Sequence, residues 1–238
     1  MTIRTQIECQ YAAQTQALID ADVFQQLITG RLSLEEIDQF VANLCQTHLK
    51  SSQILAFLYS VAPPASAARI QHNMLEEMGL DDEGICHSDL LQQLAIAIGF
   101  DAQQREALHA GAQNRIKTLC NDPLMFGTIR ELGLLVLLEV TCFEWMLSRV
   151  SSRMAKALEV YRKLPADCLQ WFYHHSEVDV RHAEEGLDSV VDYISYYEIE
   201  ADELETILDI TFRENIFIKH YFGALALAQE TNMLEVAV

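Results

Sequence analysis

Apolar side chains recur every three or four residues along almost the whole chain, the spacing of one face of an α-helix. Several breaks in this pattern carry helix boundary signals. Ser33-Leu-Glu-Glu36 has the form of a capping box, Pro63-Pro64 ends the segment that follows, and Gly30 and Gly79 stand where two other segments stop. The pattern predicts helices at about residues 5–29, 33–61, 65–78, 87–99, 101–120, 124–150, 152–164, 165–178 or beyond, 179–196 and 200–229.

The turn-forming residues are too few for a β architecture. The 238 residues include only 9 Gly and 4 Pro. A β-sandwich or barrel needs turn signals at short, regular intervals along the whole chain. No linker, low-complexity tract or internal repeat interrupts the chain. We therefore predict one all-α domain over residues 1–238, built as a helical bundle.

The charge excludes several classes of partner. Sixteen Lys and Arg against 35 Asp and Glu give a net charge of −19, which repels nucleic acid and anionic lipid headgroups. The longest apolar run, residues 132–138, stops at Glu139 and is too short to cross a membrane. The first residues lack the apolar core of a secretory signal, so we expect a cytoplasmic protein.

The six cysteines do not predict a metal or disulfide framework. They are spread widely along the chain with no C-x-x-C pair, as Cys9, Cys45, Cys86, Cys120, Cys142 and Cys168. We expect reduced and mostly buried thiols.

The clearest candidate for chemistry is an H-x3-D-x2-H run formed by His175, Asp179 and His182. At 100° per residue, these three side chains fall within an arc of about 60° on one helix. Two imidazoles and a carboxylate on one stripe suit a metal ion. Since His and Asp are also common on exposed helix faces, the run alone leaves a surface role open.

A second candidate lies in the most apolar helix, which contains Glu139 and Glu144. A buried carboxylate must be paired, protonated or bound to a cation. Arg130, Arg149 and Arg153 are candidate ion-pair partners. The two glutamates are five residues apart and point about 140° away from each other, so at most one of them faces a given site.

The third candidate joins the end of one helix to the start of the next. Glu76 and Glu77 precede Gly79, a short acidic loop follows, and His87 begins the next helical segment. A carboxylate and an imidazole can converge across such a loop.

These candidates together predict a centre for two metal ions. Mixed nitrogen and oxygen ligands suit iron or manganese better than structural zinc or magnesium. Six protein ligands are too many for one catalytic metal that keeps open positions. The ferritin-like type of dimetal bundle is disfavoured, because it uses two Glu-x-x-His motifs and this chain has one, Glu106-Ala-Leu-His109.

The pattern resembles the haem-oxygenase-like diiron oxidases, a group that includes the chlamydial protein associating with death domains. Members carry a carboxylate in an N-L-x-E-E-x-G-like helix end, a His before a Leu-rich turn, a carboxylate in an apolar central helix, and H-x3-D-x2-H at a usual separation further along the chain. The resemblance covers about residues 70–190. It assigns as metal ligands Glu77, His87, Glu144, His175, Asp179 and His182.

Spacing selects between the alternatives within this resemblance. The separation of Glu144 from His175 falls inside the family's usual range, whereas Glu139 lies further back along the chain. We choose Glu144, with Glu139 as the alternative. Glu76 remains the alternative to Glu77.

The resemblance implies a seven-helix bundle of the haem-oxygenase and thiaminase type and two iron ions, with manganese as the alternative metal. It also implies O2 as co-substrate and oxidation of a small molecule. Apolar residues of the central helix, Phe143 and Met146 or Leu147, would line the substrate space, and His174 and Glu177 would orient the ligands. The substrate, and whether a tyrosine of the protein is consumed, stay open.

Three other functions compete with this one. A metal-free enzyme of the same fold would use Cys142 or Cys120 as nucleophile. A haem protein would leave most of the ligand set unexplained. A helical protein that only binds a partner would need no chemistry at all. Base rates favour a homodimer.

Overall fold

The apolar spacing predicted long helices, and long helices make up most of the structure. The computed structural model describes residues 1–121, 127–223 and 225–226, with only the backbone at 119–121. Within these residues the one β-type pairing is an isolated bridge between Met78 and Cys86. The α-helices are α1 (Ile3–Asp20), α2 (Asp22–Ile28), α3 (Leu34–His48), α4 (Ser51–Val61), α5 (Ala67–Glu77), α6 (His87–Ala97), α7 (Ala102–Asn121), α8 (Ile129–Ala157), α9 (Gln170–Tyr196) and α10 (Ala201–Phe212).

The N-terminal half contains two helix breaks that the pattern did not predict. The helix expected over 5–29 is divided at Ala21, whose backbone is extended. The helix expected over 33–61 is divided at Leu49 and Lys50. The capping box of Ser33 and Glu36 is present as predicted. Such breaks raise the number of α-helices in the described residues to ten, where the resemblance implied seven.

The C-terminal half shows the opposite error, because two predicted breaks are absent. Helix α8 runs on through Ser151 and Ser152, then widens into a π-helical turn, Leu158–Arg162. A 3-10 turn, Ala166–Leu169, leads into α9, which continues through the boundary predicted between residues 178 and 179. A second π-helical turn, Ile218–Phe222, follows α10. The predicted helix start at 121–124 and the predicted end near 229 extend outside the described residues.

Helices α8 and α9 pair more extensively than any others in the described part of the chain. They approach each other closely at Gly186, where an added Cβ would lie 2.7 Å from Thr141 Oγ1. Thr141 precedes Glu144 by three residues and Gly186 follows His182 by four, so the close approach brings the two candidate ligand helices together beside the site. No helix of the described residues, α8 included, is long and apolar enough to cross a membrane.

Candidate metal centre

Glu77 and His87 meet across the loop that joins α5 to α6. Gly79 has a φ of +64°, a conformation that favours glycine. Met78 and Cys86 form the bridge that closes the loop. Glu77 therefore ends one helix where His87 begins the next, and Glu77 Oε1 lies 2.9 Å from His87 Nδ1. The structure brings these two residues together as the sequence predicted.

His175 of α9 completes this first group. Its Nε2 lies 3.7 Å from Glu77 Oε1, and one ligand atom from each of Glu77, His87 and His175 falls within 4.8 Å of the others. Burial favours the protonated form of Glu77, but interactions with the adjacent His87 and His175 have the larger effect. They hold the pKa of Glu77 well below the usual range. The ring of Trp171 packs on His175 with centroids 4.2 Å apart. Two imidazoles and an ionised carboxylate thus share one buried space.

A second group forms around His182, one turn along the same helix from Asp179. His182 Nδ1 lies 3.3 Å from Asp179 Oδ1, and its Nε2 lies 2.6 Å from Glu76 Oε2. Burial disfavours the charged imidazole, but hydrogen bonds to Asp179 and Glu76 overcome it and raise the pKa of His182 to about 10. Burial acts against ionised Glu76 as well, yet His182 and Arg181 lower its pKa to about 2. Glu76, the sequence's alternative to Glu77, thus lies in the second group while Glu77 lies in the first.

Glu144 of α8 is electrostatically linked to both groups. Its carboxylate accepts a hydrogen bond from the Asn73 side chain. Burial is the main cause that raises the pKa of Glu144 to about 7, with Asp179 and Glu77 adding to it and His182 opposing it. Glu144 lines the same cavity as Glu77, His175 and Asp179.

Glu139, the alternative to Glu144, has a different environment. Burial raises its pKa to about 7, and the opposing charge is that of Lys219. None of the arginines suggested from the sequence pairs with either glutamate: Arg130 binds Glu203, and Arg149 stacks on Trp145. Glu144, unlike Glu139, therefore interacts with the charges of His182, Asp179 and Glu77, and its role as a ligand stays a prediction.

The two predicted orienting residues differ in outcome. His174 Nε2 lies 2.9 Å from His87 Nε2, so one ring donates to the other and the Nδ1 of His87 is left facing Glu77. Burial, with His87 and His175 nearby, lowers the pKa of His174 to about 4. Glu177 is exposed on α9, so the prediction that it orients a ligand is wrong.

A cavity of about 200 Å³ adjoins the two groups. Glu77, Glu144, His175 and Asp179 contribute to its lining. Phe143 and Leu147 also line it, as predicted, whereas the alternative Met146 is buried in the core. The cavity therefore gives a small molecule access to the predicted ligands.

Sequence reasoning missed His48 and Arg115, which line the same cavity from α3 and α7. His48 Nε2 lies 2.7 Å from the Tyr221 hydroxyl, and burial lowers the pKa of His48 to about 3. Neither residue belongs to a motif, and they are far apart in the sequence. Only the packing of α3 against α7 brings them together.

Cys142 does not fit the role of a nucleophile. It is fully buried, and burial together with Glu139 raises the pKa of its thiol well above the usual value. The reactive thiolate is therefore disfavoured. The side chain of Cys120 lies outside the described residues. Of the five described cysteines, all are free but only Cys45 and Cys142 are buried, so the expectation of mostly buried thiols is wrong for this set.

Gly79→Ala is expected to lower stability by about 1–3 kcal/mol and to weaken metal binding by the first group. An added Cβ would lie 2.7 Å from Cys86 N and would strain the positive φ. Urea unfolding and metal titration measure the two effects. Gly84→Ala is the matched control, since Gly84 has a φ of +66° in the same loop but open space around it. Equal losses of stability and metal affinity in the two variants would mean that the close approach of residue 79 to Cys86 does not contribute to either.

Two solved structures are similar to this chain over nearly their whole length. One is a domain of unknown function with a haem-oxygenase-like fold from Shewanella denitrificans, with a TM-score of 0.64, 14% identity, and coverage of 100% of this chain and 97% of the other. The other is a CADD-like protein of unknown function from Nostoc punctiforme, with a TM-score of 0.55, 15% identity, and coverage of 94% and 98%. These likenesses confirm the predicted haem-oxygenase-like fold.

At the level of sequence, a family model described as iron-containing redox enzyme matches residues 38–210. The matched range contains every residue of the two groups, from Glu76 to His182. No curated protein matches the sequence.

Proposed function

The chain belongs to the family of iron-containing redox enzymes, and we propose that it is an oxidase or oxygenase that uses a two-iron centre and O2 to oxidise a small molecule. The observation that carries the proposal is the pair of His and carboxylate groups on facing helices beside one cavity.

The ligand atoms divide between two metal positions. Glu77, His87 and His175 would hold one ion. Asp179 and His182 would hold the other, with Glu76 as an additional carboxylate within reach of His182. Glu144, which interacts with charges of both groups and lines the same cavity, would be a further carboxylate ligand.

The residues present fit a bound cation. Asp179 Oδ2 is buried and has no hydrogen-bond partner among the described residues. A buried carboxylate oxygen left without a partner costs free energy, and a metal ion would satisfy it. Four carboxylates converge on this region, and two divalent ions would balance their charge.

The protein's contribution is to hold and shield the centre. Bound ferrous ions would supply the electrons and open coordination positions that O2 activation requires. His174 fixes the ring of His87, Trp171 packs against His175, and Asn73 orients Glu144. Phe143 and Leu147 present an apolar wall that keeps water from the substrate space.

Ligand chemistry favours iron, with manganese as the alternative metal. The centre mixes imidazoles and carboxylates and contains no thiolate among the described residues. Structural zinc prefers closed sites rich in Cys, and magnesium prefers oxygen ligands alone. Competition between ferrous and manganous ions under anaerobic conditions distinguishes the two candidates.

Metal analysis tests the proposal. The protein reconstituted anaerobically with ferrous iron is expected to retain two irons per chain and to change its optical spectrum on mixing with O2. His175→Ala and His182→Ala, one from each group, are each expected to lose at least one of the two ions, because each removes an imidazole ligand. Inductively coupled plasma analysis after desalting measures the stoichiometry.

His109→Ala serves as the matched control, since His109 lies on α7 outside both groups. It is expected to retain the wild-type metal content. Wild-type protein that retains no iron and manganese, with His175→Ala behaving identically, would refute the two-metal centre. That result would favour a metal-free enzyme of the same fold or a protein that only binds a partner.

A further inference from the structure

One cation stands out among the residues that line the cavity. The Arg115 guanidinium donates from Nη1 to Thr47 Oγ1 at 2.6 Å and lies 3.1 Å from His220 Nδ1. Arg115 forms no ion pair with any carboxylate of the described residues. In a chain with 35 acidic and 16 basic residues, an arginine without an acidic partner is unexpected.

The surroundings of Arg115 do not neutralise its charge. Burial lowers its pKa, but a guanidinium stays protonated in proteins. His48 and His220 share this part of the cavity, and burial lowers the pKa of each to about 3, so both are neutral. Glu139 also lines the cavity, but burial raises its pKa to about 7, so it is largely protonated in mildly acidic solution. The half-buried positive charge of Arg115 therefore has no acidic partner at its own end of the cavity, whose ionised carboxylates belong to the predicted metal centre.

Arg115 also stands apart from the predicted metal ligands. A series of ring contacts separates it from His175: His220 against Phe143 at 5.6 Å, Phe143 against His48 at 5.3 Å, and His48 against Trp171 at 5.0 Å. Arg115 and His175 nevertheless line one cavity. A ligand held at Arg115 could therefore extend along an apolar wall toward the metal centre.

We propose that Arg115 binds the carboxylate of a small, largely apolar carboxylic acid, whose other end lies toward the predicted metal centre. Arg115 offers two N–H groups in the planar fork that matches a carboxylate, and Thr47 and His220 hold that fork in place. Ile54, Ile116 and Val136 supply apolar contact for the rest of the molecule. A cavity of about 200 Å³ suits a small molecule and excludes a polymer.

This inference deepens the proposed function, since it names the substrate class of the same site. In that setting the two metal ions would balance the carboxylates of the centre, and Arg115 would be the charge left for the substrate. Binding to the metal-free protein tests Arg115 alone, and so separates this inference from the two-metal centre.

The experiment is calorimetric titration of metal-free protein, at about pH 6, with hexanoate, hexanamide and hexylammonium. These probes share a length but carry a negative, zero and positive charge. Hexanoate is expected to bind at least about tenfold more tightly than hexanamide, which corresponds to one charge-assisted contact. Hexylammonium, which the carboxylates of the metal-free centre also attract, measures binding that does not depend on Arg115.

Arg115→Gln is expected to remove the preference for hexanoate over hexanamide. Lys117→Gln is the matched control, because it removes the same charge two residues along α7 from an exposed position and should leave the preference intact. Arg115→Lys, which keeps the charge but loses the fork, is expected to fall between them. Circular dichroism and thermal unfolding establish that each variant is folded.

Equal binding of hexanoate and hexanamide by the wild type would overturn the proposal, as would absence of hexanoate binding at about 10 mM. Retention of the preference in Arg115→Gln would also overturn it, and would point to Lys50, the other cation of the lining. If Arg115→Gln does not fold, the proposal is tested by the affinities of the wild type for the three probes and by the affinities of Arg115→Lys. If no preparation of the wild type binds metal, the two-metal centre is refuted, but the binding of hexanoate by the metal-free protein still tests the role of Arg115.

Discussion

Loading with ferrous iron is expected to stabilise the protein by about 4 kcal/mol for each occupied site when the free metal exceeds its Kd about 1,000-fold. The metal-free centre holds Glu77, Glu144 and Asp179 in a buried space, and Asp179 Oδ2 has no hydrogen-bond partner among the described residues. Bound cations would remove the repulsion and satisfy that oxygen. Anaerobic calorimetric unfolding measures the gain.

The gain is expected to increase with pH, because His182 must lose a proton before it can bind metal. Its pKa is raised from 6.5 to about 10 in the metal-free protein. The stabilising contribution of protonated His182 is present in full below pH 6.5 and is lost as pH rises toward 10. Metal affinity moves in the opposite direction, rising roughly tenfold per pH unit for each proton displaced.

Unfolding scans at about pH 6 and about pH 8, with and without metal, test this expectation. The difference between loaded and metal-free protein should be larger at the higher pH. His182→Ala should lose part of that increase, because Glu144, whose pKa is about 7, also releases a proton in this range, whereas His109→Ala should retain all of it. If the stabilisation by metal does not change with pH in the wild type, metal binding displaces no proton from His182, and His182 is not a ligand.

The six residues assigned as ligands could be proposed from the sequence because their arrangement is mostly local. His175, Asp179 and His182 share one face of a helix whatever the rest of the fold does. Glu77 and His87 flank a loop that the glycine at 79 closes. The choices of Glu144 over Glu139 and of Glu77 over Glu76 came from the family resemblance, since a single helix cannot reveal which of its faces meets a distant partner.

Helix boundaries were less predictable, because packing overrides local signals. Val178, Asp179 and Val180 weaken helix propensity at the predicted break in α9. Asp179 is nevertheless buried with His175 and His182, and the continuous helix is what aligns them. The helix break at Lys50, by contrast, could not be predicted, because no Gly or Pro stands beside it in the sequence.

The far part of the cavity was not predictable at all. Arg115 belongs to the polar helix α7 and carries no motif. Its partners Thr47 and His220 come from positions 68 residues before it and 105 residues after it. A single sequence gives no sign of such contacts, because each residue alone is typical of an exposed helix face.

Glu139→Gln is expected to raise the free energy of unfolding at about pH 8 by up to about 3 kcal/mol. Burial raises the pKa of Glu139 from 4.5 to about 7, so the folded protein binds this proton more tightly than the unfolded chain does. Stability is therefore lost as pH rises from 4.5 through 7, at about 1.36 kcal/mol per unit of pKa difference. Glutamine keeps the shape of the side chain and removes the ionisation.

Urea unfolding of both proteins from about pH 4.5 to about pH 8 measures this difference, which should grow with pH and then level off. Glu106→Gln, at an exposed position of α7, is the control, and its free energy of unfolding should change little.

Glu139→Gln also decides between the two candidate ligands of α8. Glu139→Gln is expected to retain both irons while Glu144→Gln loses metal, because Glu144 responds to Asp179, His182 and Glu77 whereas Glu139 responds to Lys219. Loss of iron from Glu139→Gln, with no gain in stability, would instead make Glu139 the ligand and leave Glu144 to its hydrogen bond with Asn73.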